Sequence, residues 1–488
     1  MTIQLTGPVR VRFPPSPTGF LHVGGARTAI YNELLRQSLG GSLVLRIEDT
    51  DQKRSDEAMT RQIVSALDWL NISCDEGPFQ QSARVEEHRA AALRLLAEGK
   101  AYHCFHSQEE VEAKRKEMVS QGQNYSYRVA FEEPSQEDVE RRLEAGEAYA
   151  IRFRMPREDM VFPDLVRREV TFPAESLDDF IILRSDGSPT YHLSVVCDDI
   201  HHRVSVVLRG EDHISNTPKH IGLFEALGAQ VPTFGHLPLI LGPDKKRLSK
   251  RTGATSVEEF RDQGILPQAL YNYLALLGWS PGDGREVMSR EEMVEAFTAD
   301  RLGGSSAVFD YDKLAWMNAQ YMSREPLEEI LGHAQPFLQE HGLADQDPAR
   351  LHPVVDLYRK RAHNVKELAE FIVPFFREEI DYPAELCQKF LKTEGLPEIL
   401  EELASRYGAL DPFDIEGTDQ TLRALATERE IKAGPLIHPT RMALTASKAG
   451  PPLFDVVVAM GREASVRYLR QFAVFLRRLA EEASAGDS

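Results

Sequence analysis

Two short segments of the sequence carry residue types that suit phosphate chemistry. The first is His22-Val23-Gly24-Gly25, which follows a proline-rich loop at a predicted helix start. A helix N-terminus presents free N–H groups and the positive end of the helix dipole, and glycines let a ligand approach the backbone closely. The second is DKKRLSKR, Asp244 to Arg251, which holds five basic side chains and one hydroxyl. Such a run can neutralise a triphosphate and its leaving pyrophosphate.

Each segment taken alone also has a simpler explanation. A histidine with two glycines is more often part of a turn, and a lone basic run is more often a solvated loop or a nonspecific nucleic-acid patch. Rival motifs are missing, since the sequence has no GxxxxGK[ST], no GxGxxG after the first predicted strand and no GxSxG. The acidic run Glu48 to Asp51 does not fit a calcium loop, because Lys53 and Arg54 occupy the next ligand and glycine positions.

Hydrophobic periodicity predicts the elements that position the first segment. Val9 to Phe13 alternates as a strand, an apolar stripe at helical spacing covers residues 23–34, and a glycine pair at Gly40-Gly41 ends it. SLVLRIED, residues 42–49, predicts a second strand. A strand, helix and strand of these lengths favour a right-handed parallel crossover.

Further along, the pattern alternates before it becomes helical. A charged helix is predicted over Ser107 to Gln121 and a short strand over Tyr149 to Met155. SPTYHLSVVCDD (188–199) and VSVVLRGEDH (204–213) are both predicted to be β-rich and buried, and PKHIGLFEALG predicts a helix that ends at Gly228. From Pro326 onward nearly all of the chain is predicted to be helical.

The last predicted helix has two different faces. One face carries apolar residues at helical spacing, namely Val466, Leu469, Ala473, Leu476 and Leu479. Arg467, Arg470 and Arg477 fall on another face. The pattern favours a solvated surface for these arginines over a nucleic-acid contact.

Composition limits the classes of function that the protein can have. The 488 residues carry a formal charge of −19 with 42% hydrophobic and 27% charged residues, which is typical of a globular chain of several domains. No apolar run approaches the roughly 18 residues of a membrane span, and the start lacks a signal peptide pattern. Four scattered cysteines indicate a reducing cytoplasm. The acidic balance does not exclude nucleic acid, because a local basic face can coexist with it.

The two segments and their surroundings resemble bacterial glutamyl-tRNA synthetase, a class I aminoacyl-tRNA synthetase. VRFPPSPTGFLHVGGARTA (11–29) and LRIEDTD (45–51) carry the resemblance, with HVGG matching the family's "HIGH" signature and RLSKR (247–251) its "KMSKS" signature. It continues through DFIILRSDGSPTYHL, VLRGEDHISNTPKH, FDYDKLAWMNAQYM and IKAGPLIHPTRMALT. The resemblance therefore spans residues from about 9 to 480.

The resemblance implies an α/β Rossmann-type catalytic domain with an α+β insertion, followed by an all-α C-terminal anticodon-binding region. The expected catalytic halves are residues 1–105 and 191–240, on either side of an acceptor-end-binding insertion at 106–190. A stem-contact region with the KMSKS-type loop is expected at 241–325, and the helical anticodon-binding region at 326–488.

The resemblance also implies the reaction and its residues. The family activates glutamate with ATP to glutamyl-adenylate and then transfers the glutamyl group to the terminal adenosine of tRNA. The matching ATP-site residues are His22, Gly24, Gly25, Arg247, Ser249, Lys250 and Arg251, of which His22, Ser249 and Lys250 are the catalytic candidates. Arg247 stands where the motif has lysine and keeps the charge. The family implies ATP as a substrate, together with Mg²⁺.

The matching glutamate-site residues are Arg12, Ser16, Glu48, Tyr191 and Arg209. Arg12 and Arg209 are the candidates for the two carboxylates, in an order left open, and Glu48 for the ammonium group. The alternation of Arg12 with apolar neighbours alone would favour a side chain facing water. Glu48 and Asp49 alone could be strand-end carboxylates.

The insertion departs from one feature of the family. Some members bind zinc there through Cys-x-Cys, a later cysteine, and a histidine or tyrosine. This sequence has Cys104-Phe105-His106, and Val129 stands at the place of the later cysteine. Two ligands do not make a tetrahedral site, so we expect no structural zinc.

The expected partners are L-glutamate and tRNA(Glu), with tRNA(Gln) added if the protein is the non-discriminating type. A cytoplasmic monomer without a membrane partner is expected. Glutaminyl-tRNA synthetase is a weaker alternative, because it typically has Pro-Glu-Pro-Asn where Pro15 to Thr18 reads Pro-Ser-Pro-Thr. A truncated tRNA-modifying relative is also disfavoured, because it lacks the helical C-terminal third and this chain has 488 residues. A non-catalytic tRNA-binding protein remains an alternative, although His22 and the Ser249-Lys250 pair are both present.

Overall fold

The computed structural model describes residue 5 and residues 8–50, 57–249 and 253–486, without the side chains of 484–486. The chain forms two compact units. The first comprises Met1–Phe260 and Leu270–Asp310, and the second comprises Arg261–Ala269 and Tyr311–Ser488. None of the helices in the described ranges is long and apolar enough to cross a membrane.

All strands of the described chain lie in the first unit. They are β1 (Arg10–Phe13), β2 (Ser42–Ile47), β3 (Glu76–Gln80), β4 (Ala101–Cys104), β5 (Ala150–Phe153), β6 (Met160–Asp164), β7 (Arg168–Phe172), β8 (Phe180–Leu183), β9 (Val206–Gly210), β10 (Thr233–Leu237), β11 (Ile240–Leu241) and β12 (Ala307–Val308).

Helices occur throughout the chain. Those before residue 311 are α1 (Val23–Leu39), α2 (Glu57–Trp69), α3 (Val85–Ala97), α4 (Gln108–Ser120), α5 (Tyr127–Ala130), α6 (Gln136–Glu144), α7 (Tyr191–His201), α8 (Thr217–Ala226), α9 (Val257–Asp262), α10 (Pro267–Leu276) and α11 (Arg290–Ala296). Those after it are α12 (Tyr311–Arg324), α13 (Leu327–Glu340), α14 (Pro348–Arg359), α15 (Val365–Ile372), α16 (Ala384–Cys387), α17 (Leu396–Ala409), α18 (Ile415–Glu428), α19 (Gly434–Thr445), α20 (Leu453–Met460) and α21 (Arg462–Gly486).

The predicted β-α-β unit at the start of the chain is confirmed. β1 and β2 pair in parallel with α1 between them, and Gly40 ends α1 with φ +65°, a conformation that glycine adopts without strain. β2 also pairs in parallel with β3. This arrangement gives the first half of a doubly wound fold.

A second sheet joins segments that the sequence analysis assigned to different domains. Its strand order is β7-β6-β10-β9, with β10 parallel to both β6 and β9. β9 runs beside β1, where the Ser205 N–H donates to the Arg10 carbonyl at 2.8 Å. Strands β6 and β7, predicted within the insertion, therefore extend a sheet that contains β9 and β10. A separate antiparallel sheet, β4-β5-β8, joins β4, from the end of the expected first catalytic half, to β5 and β8 of the expected insertion.

One predicted element is wrong. The segment SPTYHLSVVCDD was expected to be β-rich, but Tyr191–His201 forms helix α7. Its central residues Leu193 to Val196 are all buried, because the helix packs against neighbours on several sides. A short apolar run buried on all sides does not distinguish a helix from a strand by its periodicity.

The second unit is helical, as predicted. Pro326 is the N-cap residue of α13, and helices continue to α21. The long helix α21 packs along α17, and its apolar stripe of Leu469, Ala473, Leu476 and Leu479 is buried. Burying such a stripe removes apolar surface from water and holds the helices together.

Candidate active site

The crevice between β1 and β9 lies where the strand order of the parallel sheets reverses direction. β2 and β3 follow on one side of β1, and β10 and β6 follow on the far side of β9. In open α/β sheets, ligands bind outside the carboxyl ends of the strands at such a switch point. Arg12 and Arg209 lie toward the carboxyl ends of β1 and β9, and Glu48 directly follows β2.

A cleft of about 770 Å³ opens at this point. Its lining brings together nine of the twelve predicted site residues, namely Arg12, Ser16, His22, Gly24, Gly25, Glu48, Tyr191, Arg209 and Arg247. Ser249 is described but does not line this cleft. Lys250 and Arg251 lie outside the described residues. One cleft therefore contains the predicted glutamate-site residues and part of the predicted ATP site.

Arg12 is buried rather than facing water. Both faces of β1 are covered, and Arg12 is only 2% exposed. Its Nε lies 3.4 Å from Asp199 Oδ2, whereas Nη1 has no hydrogen-bond partner among the described residues. Asp199 is shared with Arg46, whose Nη1 donates to it at 2.7 Å. Arg12 is thus held at its inner end and keeps donors for a ligand.

Arg209 is a buried cation surrounded by neutral acceptors. Its Nε donates to His236 Nε2 at 3.3 Å and its Nη1 to His220 Nδ1 at 3.2 Å. Its Nη2 donates to the Thr217 hydroxyl at 2.7 Å and the His213 carbonyl at 3.3 Å. Within the described part of the chain, no carboxylate lies within 4.0 Å of Arg209, and burial lowers its pKa to about 10. A buried charge of this kind calls for an anionic partner.

Glu48 is a carboxyl group with an altered pKa. Burial raises the pKa of Glu48 to about 7, although Arg46 and Arg12 act in the opposite direction. Its Oε1 lies 3.5 Å from Arg46 Nη2 and makes no hydrogen bond within the described residues. The neighbouring Asp49 has a structural role, because its carboxylate accepts the N–H and hydroxyl of Ser82 at 2.8 and 2.7 Å. Only Glu48 of this pair lines the cleft.

Tyr191 and Ser16 complete the predicted glutamate set. The Tyr191 hydroxyl lies 3.3 Å from His213 Nδ1, at the first turn of α7, and burial raises its pKa. Ser16 is exposed in the loop after β1, and its carbonyl accepts the Thr18 N–H at 2.9 Å. Both side chains are neutral at physiological pH, so they can offer hydrogen bonds but no charge.

His22 begins α1 with its ring open to the cleft. Its Nδ1 accepts the Gly25 N–H at 3.1 Å, so a neutral ring carries its proton on Nε2. Desolvation by the cleft walls lowers the pKa of His22, and Arg247 adds to this effect. The first turn of α1 has no acidic residue. The helix end therefore combines a neutral N–H donor with a positive dipole end that no acidic residue of its own first turn offsets.

Gly24 has no side chain, and the His22 ring occupies the space that a side chain would need. A Cβ at Gly24 would lie 3.0 Å from the Cε1 and Nδ1 atoms of the His22 ring. The HVGG segment is also tied to the chain that follows the basic loop. The Val23 N–H donates to the Thr255 carbonyl and the Val257 N–H donates to the Leu21 carbonyl, both at 2.9 Å. The two signature segments are therefore neighbours in the fold.

The place where some relatives bind zinc holds a hydrogen-bonded cluster. The Tyr127 hydroxyl lies 3.0 Å from Cys104 Sγ and 2.8 Å from His106 Nδ1. The Arg152 guanidinium stacks over the Tyr127 ring at 3.4 Å, and Val129 is exposed. Cys104, His106 and Tyr127 supply three donors at most, no three His, Cys, Asp or Glu side chains among the described residues group as a metal site, and the Arg152 guanidinium already places a positive charge here. These residues do not fit a tetrahedral zinc site.

The sequence analysis missed the residues that hold the arginines. They are Arg46, Asp164, Asp199, Thr217, His220 and His236, all of them buried. Their sequence signal is a polar residue inside an apolar element, as in His236 of the strand TFGHL. Their partners lie 8 to 187 residues away along the chain, so the signal could not have identified the pairs.

Comparisons with known proteins agree with this geometry. The pattern of the family described as "tRNA synthetases class I (E and Q), catalytic domain" matches residues 8–316, and that of the "Anticodon binding domain" matches residues 329–473. The chain is therefore a class I aminoacyl-tRNA synthetase.

Similar curated proteins narrow the class. The chain is 46% identical to glutamate–tRNA ligase 2 of Koribacter versatilis, covering 96% of this chain and 99% of the relative. It is 42% identical to the glutamate–tRNA ligase of Geobacter sulfurreducens, with 96% and 99% coverage. A crystal structure of a glutamate tRNA ligase from Elizabethkingia meningosepticum, in complex with its amino acid, is 30% identical with a TM-score of 0.85, covering 96% of this chain and 99% of that chain. The protein belongs to the glutamate–tRNA ligase family.

Proposed function

We propose that the protein activates L-glutamate with ATP to glutamyl-adenylate and then transfers the glutamyl group to the 3′-terminal adenosine of tRNA(Glu). The observation that carries this proposal is Arg209, a buried guanidinium that faces the cleft without a carboxylate partner in the described residues. Together with Arg12 it makes two buried cations in the cleft. A free amino acid with two carboxylates supplies an anion to both arginines, whereas glutamine, with a side-chain amide, leaves one of them without a charged partner.

The proposed glutamate pose uses charges of both signs. Arg12 and Arg209 each take one carboxylate of the substrate. Arg12 Nη1 has no hydrogen-bond partner among the described residues, and Arg209 keeps one Nη1 N–H beyond the four N–H groups that donate to its protein acceptors. Glu48 takes the ammonium group, whose positive charge would restore ionisation of a carboxyl with a pKa of about 7. Ser16 and Tyr191 add neutral hydrogen bonds from the rim of the same cleft.

The proposed first step needs no covalent enzyme residue. An oxygen of the substrate carboxylate attacks the α-phosphorus of Mg·ATP, the bond to the bridging oxygen breaks, and pyrophosphate leaves. His22 donates its Nε2–H to a phosphate oxygen from the start of α1, beside Gly24 and Gly25. Arg247, Ser249, Lys250 and Arg251 stabilise the charge that develops on the leaving group. Catalysis then rests on positioning and charge stabilisation.

The other parts of the chain have proposed roles in tRNA binding. Residues 106–190 hold the acceptor end, residues 241–325 contact the stem and carry the KMSKS-type loop, and residues 326–488 bind the anticodon. Splayed anticodon bases are bound by stacking on aromatic or guanidinium planes. The protein acts as a cytoplasmic monomer.

Charging assays test this proposal directly. Labelled glutamate, ATP and separate tRNA(Glu) and tRNA(Gln) transcripts are supplied to the purified protein. Charging of tRNA(Glu) alone is the expected result, and charging of both defines the non-discriminating type. A folded sample that charges neither would favour a non-catalytic tRNA-binding protein. Lys250→Ala should reduce adenylate formation far more than tRNA binding, and equal loss of both would contradict its role in the transition state.

Elemental analysis tests the proposed absence of structural zinc. The cluster of Cys104, His106, Tyr127 and Arg152 makes its own hydrogen bonds and stacking contact. The purified protein should therefore contain far less than one zinc per chain and keep its activity after dialysis against a chelator. One tightly held zinc per chain would contradict this proposal.

A further inference from the structure

Arg209 is positioned by side chains that do not line the cleft themselves. His236 lies in β10 and Asp164 at the end of β6, 72 residues earlier in the chain. Both side chains are almost completely buried, at 0% and 1% exposure. Neither contributes to the lining of the described cleft, so neither contacts a ligand there directly. Arg209 is the cleft-lining side chain to which His236 is hydrogen-bonded.

Asp164 is fixed as an ionised acceptor. Its Oδ1 accepts the Val166 and Arg167 N–H groups at 2.9 and 2.7 Å, and its Oδ2 accepts His236 Nδ1–H at 2.6 Å. Burial opposes ionisation, but the hydrogen bonds outweigh it and hold the pKa of Asp164 below its usual value. The backbone bonds also fix the direction in which the carboxylate points.

This contact determines which ring nitrogen of His236 carries the proton. Burial lowers the pKa of His236, so the ring is neutral, and the bond to Asp164 places its single proton on Nδ1. The Nε2 lone pair is then free to accept. It faces Arg209 Nε at 3.3 Å and the Thr217 hydroxyl at 2.9 Å.

The imidazole separates the carboxylate from the guanidinium. A carboxylate in direct contact with Arg209 would compensate its charge and compete with an anionic substrate. With His236 between them, Asp164 orients the guanidinium through a neutral acceptor, and the charge of Arg209 stays available to the cleft. The His220 ring on Nη1 is likewise a neutral acceptor.

We propose that Asp164 and His236 are positioning residues for Arg209. They hold the guanidinium so that its remaining Nη1 N–H and its positive charge meet a substrate carboxylate, and they do not neutralise that charge. This inference rests on the proposed function, in which Arg209 binds glutamate. It also assigns to β6, within the predicted insertion, a part in the amino-acid site.

Two substitutions of His236 separate positioning from simple packing. His236→Gln keeps an acceptor near the position of Nε2 and loses the donor to Asp164. His236→Asn keeps a donor near the position of Nδ1 and loses the acceptor for Arg209. Glutamate KM in the charging of tRNA(Glu) should rise about ten-fold in His236→Asn and only about two-fold in His236→Gln. The KM for ATP should change less than about two-fold in both variants.

Asp164→Asn completes a double-mutant cycle. An asparagine NH₂ facing Nδ1 would shift the ring proton to Nε2 and point it at the Arg209 N–H, so glutamate KM should again rise about ten-fold. In the His236→Gln background, the same change should add less than about two-fold, because the tautomer no longer matters.

The outcomes distinguish this inference from the proposed function. A wild-type protein that does not charge tRNA with glutamate contradicts the proposed function itself. A wild-type protein that does, with the His236→Gln and His236→Asn order reversed, or with additive effects in the cycle, overturns the positioning role. If Asp164→Asn fails to fold, as judged by its thermal unfolding, the His236 pair alone decides.

Discussion

The two units of the molecule differ in what they bury. In the part of the chain that the structure describes, every buried Arg, Asp, Glu and His side chain lies in the first unit. The buried polar residues of the second unit are all neutral, namely Asn318, Thr418, Thr440, Thr445 and Ser465. The described arginines of the second unit are all exposed or half-buried, and several of them lie along α21.

This difference follows from the size of the ligands that the two units are proposed to bind. A small zwitterion such as glutamate can be enclosed, so the charges that select it act best in a desolvated, fixed arrangement. A large polyanion such as tRNA is bound over an extended surface, where exposed cations contact phosphates and remain solvated. Buried charges lower the stability of the folded protein, and they occur in the unit that holds the proposed active site.

Replacing the buried cation should have the largest effect. Arg209→Met should lower kcat/KM for glutamate on the order of 100-fold, because the substrate carboxylate loses its charged donor. Arg209→Lys should not restore activity, since an ammonium group cannot reach the His236, His220 and Thr217 acceptors together. The melting temperature of Arg209→Met should not fall appreciably, because an uncompensated buried charge has been removed.

Arg423 in the second unit is the matched control. It is an exposed arginine that pairs with Asp419 four residues earlier on α18. Arg423→Met should leave glutamate kinetics unchanged. If Arg209→Met kept near-normal glutamate kinetics, Arg209 would not belong to the substrate site.

The sequence predicted the strands and helix around this site more completely than the side-chain contacts within it. The β1-α1-β2 unit could be predicted because its periodicity, its glycines and its helix start are all encoded within 40 residues. The alternation of Arg12 suggested a water-facing side chain, but β1 is covered on both faces. The partner of Arg12, Asp199, is 187 residues away in the sequence, so no local sequence pattern could predict this contact.

The support for Arg209 could not have been predicted for the same reason. The resemblance predicts an insertion at 106–190 that is separate from the catalytic halves. The parallel pairing of β6 with β10, which brings Asp164 to His236, is a long-range contact between these segments. Polar residues such as these inside apolar strands signal a buried network, but only the fold identifies its members.

A smaller effect is expected from crowding the His22 ring. The Cβ of Gly24→Ala would lie 3.0 Å from two ring atoms and displace the imidazole by a few tenths of an ångström. A shift of the phosphate donor by that amount should lower kcat on the order of ten-fold, with glutamate KM nearly unchanged. Gly332→Ala in α13 is the control, because nothing lies within 4 Å of its added Cβ. Equal kinetics for the two variants would argue against a close role for His22.

The pH profile tests Glu48, the negative charge in the proposed glutamate site. Burial raises the pKa of Glu48 to about 7, so the ionised form that is proposed to bind the ammonium group is lost as the pH falls through that value. Between pH 8 and pH 6.5, kcat/KM for glutamate should therefore fall about four-fold, measured at saturating ATP and tRNA. Glu48→Gln should be less active at pH 8 and show no inflection near pH 7. An inflection that survives in Glu48→Gln would belong to another group.

The smallest effects are expected in the second unit, where two arginines of α21 can be compared. Arg470 is exposed, and within the described residues no carboxylate lies within ion-pair distance of it. Arg477 pairs with Glu398 and Glu401 at 3.1 and 2.7 Å. If α21 contacts tRNA, Arg470→Ala should weaken binding about two- to three-fold and lower the salt dependence by about one unit of slope, as loss of one phosphate contact predicts. Arg477→Ala should change neither quantity, because its charge is already compensated. Unchanged tRNA binding in both variants would leave these arginines as a solvated face, the interpretation that their sequence pattern favours.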